Sequence, residues 1–109
     1  MTEDTQHTSE SDTEGKQLTV LTNLETLEKY PLAGDKVAIG RQPDNQIVVG
    51  HDMYASSYHA LVYLEDGCWW LKDLGSRNGS MLNAALVTEP VQLKATDVIT
   101  IGRTKLEIG

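Results

Sequence analysis

From Leu18 onward, hydrophobic positions come in short runs separated by turn residues, and no stretch holds a 3.6-residue period for long. The runs fall at residues 18–21, 26–32, 36–39, 46–49, 58–64, 68–74, 80–82, 85–87, 91–93, 98–101 and 104–108. Asp66-Gly67, between two of the longest, is a tight-hairpin signal. Short strands with turn signals every 8–12 residues or so predict an all-β sandwich or barrel. Alternation assigns faces. In 58–64, Leu61 and Tyr63 share one side, while Ala60, Val62 and Leu64 share the other. In 68–74, Lys72 prefers solvent, which puts Trp70 outside with it and turns Trp69 and Leu71 toward the core.

Residues 1–16 have a different texture. They contain no aliphatic residue beyond Met1 and carry five acids against Lys16 alone, so they predict a disordered acidic tail preceding a domain over 17–109. The 109 residues have room for one domain, and with no Phe its core must rest on Val, Leu and Ile. The net charge of −7 sits largely in the tail, since residues 17–109 hold eleven acids and eight bases. That balance argues against nucleic acid as a partner, because such binders need a basic face to displace counterions. No apolar run approaches a membrane span and no signal-peptide pattern opens the chain, so no membrane partner is expected. Cys68 is the single cysteine, which suits a reducing, intracellular setting: cytoplasmic, or nuclear in a eukaryote.

The chemistry gathers between the strands. Gly40-Arg41 closes one strand, and Ser56-Ser57-Tyr58-His59 follows a Gly-His-Asp turn. A third element runs Asp73-Leu74-Gly75-Ser76-Arg77-Asn78-Gly79-Ser80, and a fourth leads from Asp97 to Ile101-Gly102. Loops of a sandwich cluster at its ends, where residues distant in sequence converge. In order and spacing these elements resemble the forkhead-associated (FHA) family, whose pattern is Gly-Arg, then Ser-x-x-His, then Ser/Thr-x-Asn-Gly with a downstream Asn. The resemblance covers residues 17–108 and implies a sandwich of two twisted sheets, about eleven strands, with binding loops at one end.

It also implies roles. Arg41 matches the arginine that grips phosphate, where a planar fork of donors serves better than the point charge of lysine. Ser56 matches the serine whose hydroxyl and backbone N–H hold a phosphate oxygen. Asn78 matches the asparagine that bonds the peptide backbone. Ser57 stands where many members carry Arg or Asn and is expected to give a weaker second contact to phosphate or peptide, while Arg77 is expected to supply the missing charge or to contact the residue three after the phosphothreonine. Gly40, His59, Asp73, Gly79 and Asn83 are expected to support the binding loops, with His59 bracing them from beneath and Asp73 organising the third element by side-chain hydrogen bonds. Ala84 departs from the family's usual glycine, and alanine at positive φ would reshape that turn.

The function expected is phosphothreonine-dependent recruitment of phosphorylated partners in a Ser/Thr kinase pathway. The alternative is a phosphate-independent scaffold, or self-association, through a sheet face of the same sandwich. No enzyme, cofactor or metal is expected: His7, His51 and His59 lack ligand spacing, and Cys68 has no activating basic neighbour. Thr5, Ser9 and Ser11 are candidate phosphorylation sites in the tail, which raises self-binding through a phosphorylated tail. Thr5, Thr8 and Thr13 lack, three residues on, the Asp or large aliphatic that family pockets prefer, which counts against it. Ending at Gly109 directly after the last predicted strand, the chain reads as a piece of a longer protein.

Overall fold

The computed structural model describes residues 18–109, in which eleven strands and no helix are found. The predicted acidic tail, with Thr5, Ser9 and Ser11, lies outside the described residues. In chain order the strands are β1 (Val20–Asn23), β2 (Lys29–Pro31), β3 (Lys36–Gly40), β4 (Ile47–Val48), β5 (Ala60–Glu65), β6 (Cys68–Asp73), β7 (Ser80–Leu82), β8 (Ala85–Leu86), β9 (Val91–Gln92), β10 (Val98–Ile101) and β11 (Thr104–Ile108). One sheet has six strands in the order β2-β1-β11-β10-β7-β8, and the other has five in the order β4-β3-β5-β6-β9. All pairings are antiparallel except β3 with β4.

The predicted alternation decides what the sheets bury. Val37 and Ile39 of β3, Ala60 and Val62 of β5 and Leu71 of β6 meet Leu21, Ile99, Ile101, Leu106 and Ile108 from the other sheet. The buried core contains no aromatic residue, and Trp69 packs against its margin as its alternation requires. Each Val, Leu or Ile side chain buried in this way contributes about 1.5–3 kcal/mol. Outside, the register sets Tyr63 opposite Trp70 and Leu61 opposite Lys72, whose ammonium lies 5.7 Å from the Tyr63 ring.

Several strands are shorter than their apolar runs, β2 and β5 among them. Residues 24–28 form a turn instead of the start of β2, because the Asn23 carboxamide oxygen accepts the amides of Glu25 and Thr26 and diverts the chain from the ladder. Tyr58 lies outside β5, exposed, with its hydroxyl donating to Asp44.

The register also fixes which loops share an end. Ile39 pairs with Ala60, Ala60 with Asp73, and Ile101 with both Ser80 and Thr104. The β3–β4, β4–β5, β6–β7 and β10–β11 connections therefore all emerge on one side of the sandwich. The β7–β8 turn and the loop before β10 emerge on the other.

Candidate functional site

Three of these loops enclose an open groove of about 590 Å³. Arg41 lines it from the end of β3, Ser56 and Ser57 from the β4–β5 loop, and Arg77 and Asn78 from the β6–β7 loop. These are the five residues the sequence pattern assigned to ligand, and they share one surface. Met53, Tyr54, Tyr58 and Leu74 supply an apolar wall that the motifs did not mark.

Backbone contact sets the position of Arg41. Its N–H donates to the Ser56 carbonyl at 3.1 Å, and the Gln42 N–H donates to that of Ser57 at 3.2 Å. Gly40 makes this approach possible, since a Cβ there would collide with the Ser57 carbonyl and stand 2.9 Å from the Asn45 amide nitrogen. That nitrogen donates to the carbonyls of Gln42 and Ser57, joining two loops under Gly40. The Arg41 side chain is exposed, and among the described residues no carboxylate lies within 4 Å of its guanidinium.

His59 is fully buried beneath the groove. Its Nδ1 accepts the Ser56 N–H at 2.9 Å, which leaves the proton on Nε2 to be donated to the Gly79 carbonyl at 2.8 Å. One neutral imidazole thus ties the β4–β5 loop to the β6–β7 loop. One detail here differs from expectation: the Ser56 N–H is taken by His59, so it is the hydroxyl that faces the groove. That hydroxyl oxygen accepts the Arg77 N–H at 3.0 Å and keeps its own proton to donate. Asn78 is committed in the same way at one end, its Nδ2 donating to the Tyr54 carbonyl at 2.9 Å, which leaves its oxygen outward.

Asp73 organises the β6–β7 loop as expected. One carboxylate oxygen accepts the amides of Gly75 and Ser76, and the other accepts the hydroxyls of Ser76 and Ser80 at 2.6 Å. The Ser76 oxygen in turn accepts the Gly79 N–H, closing the turn at Gly79, whose φ of +84° suits glycine. Burial pushes the Asp73 carboxyl up, but these hydroxyl and amide donors outweigh it and hold it below the usual carboxylate range.

Asp52 is a second organiser that sequence reasoning passed over. It is buried, and it accepts the Tyr54 amide, the Arg103 amide and the Thr104 hydroxyl, pinning the β4–β5 loop to the β10–β11 turn. Burial raises its carboxyl, while the Thr104, Arg103 and Tyr54 donors and nearby His51 bring it below the ordinary value. The bond to Tyr54, two residues on, is a local turn signal available in sequence. The partners fifty residues away are not.

Asn83 corrects the expectation. It was expected to support the binding loops, but it sits at the opposite end, where its side chain donates to Asp97 and accepts the Val98 N–H. Asp97 stands there too, while Gly102 is at the groove end, because β10 runs the length of the sheet between them. Positive φ in the β7–β8 turn falls on Asn83, at +58°, and not on Ala84, so the missing glycine does not reshape it.

Comparison with known proteins agrees with this geometry. The sequence model of the FHA domain matches residues 37–102. The FHA domain-containing protein FhaB of Mycobacterium tuberculosis is 34% identical over 93 residues, covering 85% of this chain and 59% of that protein. The chain thus spans somewhat over half the length of this relative. An FHA domain solved in a study of phosphothreonine-dependent FHA interactions superposes with a TM-score of 0.78 at 28% identity, covering 84% of this chain and 95% of that one. Mycobacterium tuberculosis EmbR, solved with a low-affinity phosphopeptide, superposes with a TM-score of 0.82 at 25% identity, covering 96% of this chain and 28% of EmbR. With the family match spanning most of the sandwich and Arg41, Ser56, Arg77 and Asn78 gathered at one end, this chain belongs to the FHA domain family.

Proposed function

We propose that this domain recruits phosphothreonine-containing partners in a Ser/Thr kinase pathway, acting as a binding module and not as an enzyme. The convergence of Arg41, Ser56, Arg77 and Asn78 on one open groove carries this reading. A phosphothreonine brings a charge of about −1.5 to −2 and three strong acceptor oxygens. The Arg41 guanidinium offers a fork of donors to two of them, and the Ser56 hydroxyl, oriented by the Arg77 amide, offers a third. The outward oxygen of Asn78 is available to a peptide N–H, which would fix the strand's register. Exposed Met53 and Leu74 offer apolar surface to the threonine methyl. Related domains are described in phosphothreonine-dependent interactions and, for EmbR, with a phosphopeptide, which supports the same assignment. The intracellular, cytoplasmic setting belongs to this proposal as well.

The test is fluorescence-polarisation binding to a degenerate phosphothreonine peptide library, beside phosphoserine and unphosphorylated libraries and the Arg41→Ala variant. Binding that requires both phosphothreonine and Arg41 is expected. Equal binding of unphosphorylated peptides, unchanged in Arg41→Ala, would overturn the reading. That result would favour a second one, contact through the outer face of the five-stranded sheet, where Leu61, Tyr63 and Trp70 stay partly exposed.

A further inference from the structure

One carboxylate stands at the margin of the groove. Asp44, in the β3–β4 turn, accepts the Tyr58 hydroxyl with both of its oxygens, each at 3.0 Å. Tyr58 is itself exposed and lines the groove together with Arg41. The turn that carries Asp44 is anchored from beneath, because the next residue, Asn45, is buried and donates to the Gln42 and Ser57 carbonyls. Acid and ring are therefore held together before any ligand arrives. Among the described residues no lysine or arginine lies within 4 Å of the Asp44 carboxylate.

The pair is set apart from Asn78 along the β4–β5 loop. Asn78 bonds to the carbonyl of Tyr54, two residues before Ser56, whereas Asp44 bonds to the side chain of Tyr58, two residues after it. A carboxylate one tyrosine side chain from the groove lowers the positive potential that Arg41 and Arg77 offer to a phosphate dianion. Such an influence reaches over a Debye length of about 8 Å at physiological salt. The hydrogen bond from Tyr58 does not remove the charge, and it uses one of about four acceptor sites on the carboxylate. The opposition ends when the ligand itself brings a cation to Asp44. A guanidinium can pair there with the carboxylate and stack on the Tyr58 ring, two contacts for which the protein is already arranged.

We infer that Asp44, with Tyr58, is a charge filter beside the phosphate site. It favours partners that carry an arginine or lysine on the side of the phosphothreonine away from Asn78, and it disfavours partners that lack one. The inference rests on the phosphopeptide reading above. Asp44 acts by repulsion as well as attraction, which is how a binding site gains selectivity without gaining affinity for every ligand.

Test peptides carry one phosphothreonine in an alanine-rich frame, with a single Arg scanned through six positions on either side and a parallel Lys set. Affinities are measured for the wild type, Asp44→Asn, Tyr58→Phe and Arg41→Ala. Arg at one position, or two adjacent ones on the same side, is expected to tighten wild-type binding about three- to fivefold over alanine, the range for an exposed ion pair joined by a cation–π contact. Lys should do so less. Asp44→Asn keeps an oxygen for the Tyr58 hydroxyl and removes only the charge. In it the Arg preference should fall to about one, while the all-alanine phosphopeptide binds about two- to threefold tighter than to wild type. A merely structural role for Asp44 produces no such opposite movement. Tyr58→Phe keeps the ring and frees the carboxylate, and part of the preference should survive.

Phosphothreonine- and Arg41-dependent binding with no basic preference, or with one spread evenly over all positions, would overturn this inference and leave the proposed function standing. A localised preference unchanged in Asp44→Asn would overturn it equally. Absence of phosphothreonine-dependent binding by folded protein would remove both.

Discussion

Replacing Asp73 by Asn changes a charge and almost no volume, and the structure allows its cost to be worked bond by bond. The carboxylate accepts four donors, and its two contacts with the Ser76 and Ser80 hydroxyls are 2.6 Å long. The Asn oxygen can replace only one carboxylate oxygen. If it faces the amides of Gly75 and Ser76, the new NH₂ group meets two hydroxyl oxygens, and both hydroxyl protons lose their acceptor. Ser80 is fully buried and has no recourse to water. Hydrogen bonds to a charged group contribute about 1.5–3 kcal/mol net against about 0.5–1.5 for neutral pairs, so exchanging the two charged bonds for neutral ones costs about 2–3 kcal/mol. A domain with the usual stability of about 5–15 kcal/mol remains folded after that loss.

The check is urea denaturation followed by Trp fluorescence, with the slope unchanged and the midpoint lowered. The pH dependence supplies an internal control. Asp73 is held below the ordinary carboxylate range when folded, so near that range the unfolded chain binds more protons. Its contribution is complete above the unfolded carboxylate value of about 3.9 and is lost as pH falls through the lower folded value. The gap between wild type and Asp73→Asn should narrow on acidification below about pH 4. A cost under about 0.5 kcal/mol at pH 7, within the range of ordinary surface substitutions, would refute the role given to this carboxylate. A gap that widened in acid would do the same.

Other expectations follow from the same geometry. Gly40→Ala drives a Cβ into the Ser57 carbonyl, and the backbone shift should cost about 1–3 kcal/mol by chemical denaturation and weaken phosphopeptide binding. Thr104→Val removes the buried hydroxyl from Asp52 at nearly constant volume; a loss of about 1–2 kcal/mol is expected, and thermal melting reads it. His59→Phe leaves the Ser56 N–H and the Gly79 carbonyl without their shared partner, at about 1–3 kcal/mol for each group that water cannot reach, and the change should appear as faster amide exchange in both loops. Asn83→Ala should destabilise by about 1–2 kcal/mol while leaving phosphopeptide affinity unchanged, because its bonds lie at the far end of the sandwich. A loss of affinity in that variant, measured by fluorescence polarisation, would contradict the placement of Asn83.

The sequence alone determined what is local or periodic. Period-two alternation placed Trp69 and Leu71 on the inner side of their strand, because a strand with one buried face admits only one register. Gly40-Arg41, Ser56, Arg77 and Asn78 were legible as loop residues because turn-forming types interrupt the apolar runs. Asp73 could be read as a loop organiser since its amide partners are two and three residues away.

Tertiary structure decided everything that depends on which strand ends meet. Asn83 follows closely on the third motif element and Asp97 opens the one that ends at Gly102, yet β7 and β10 carry both to the end of the sheet opposite the groove. Asp52 acquires its role from Arg103 and Thr104, and the Ser56 N–H loses its expected one to the His59 ring above which it is folded. The stacking of Arg103 on Tyr54 joins residues almost fifty positions apart. Hydrogen-bond donors and charges act over a few ångströms, so their partners are set by the sheet register, whereas alternation and turn chemistry are written in each few residues of chain.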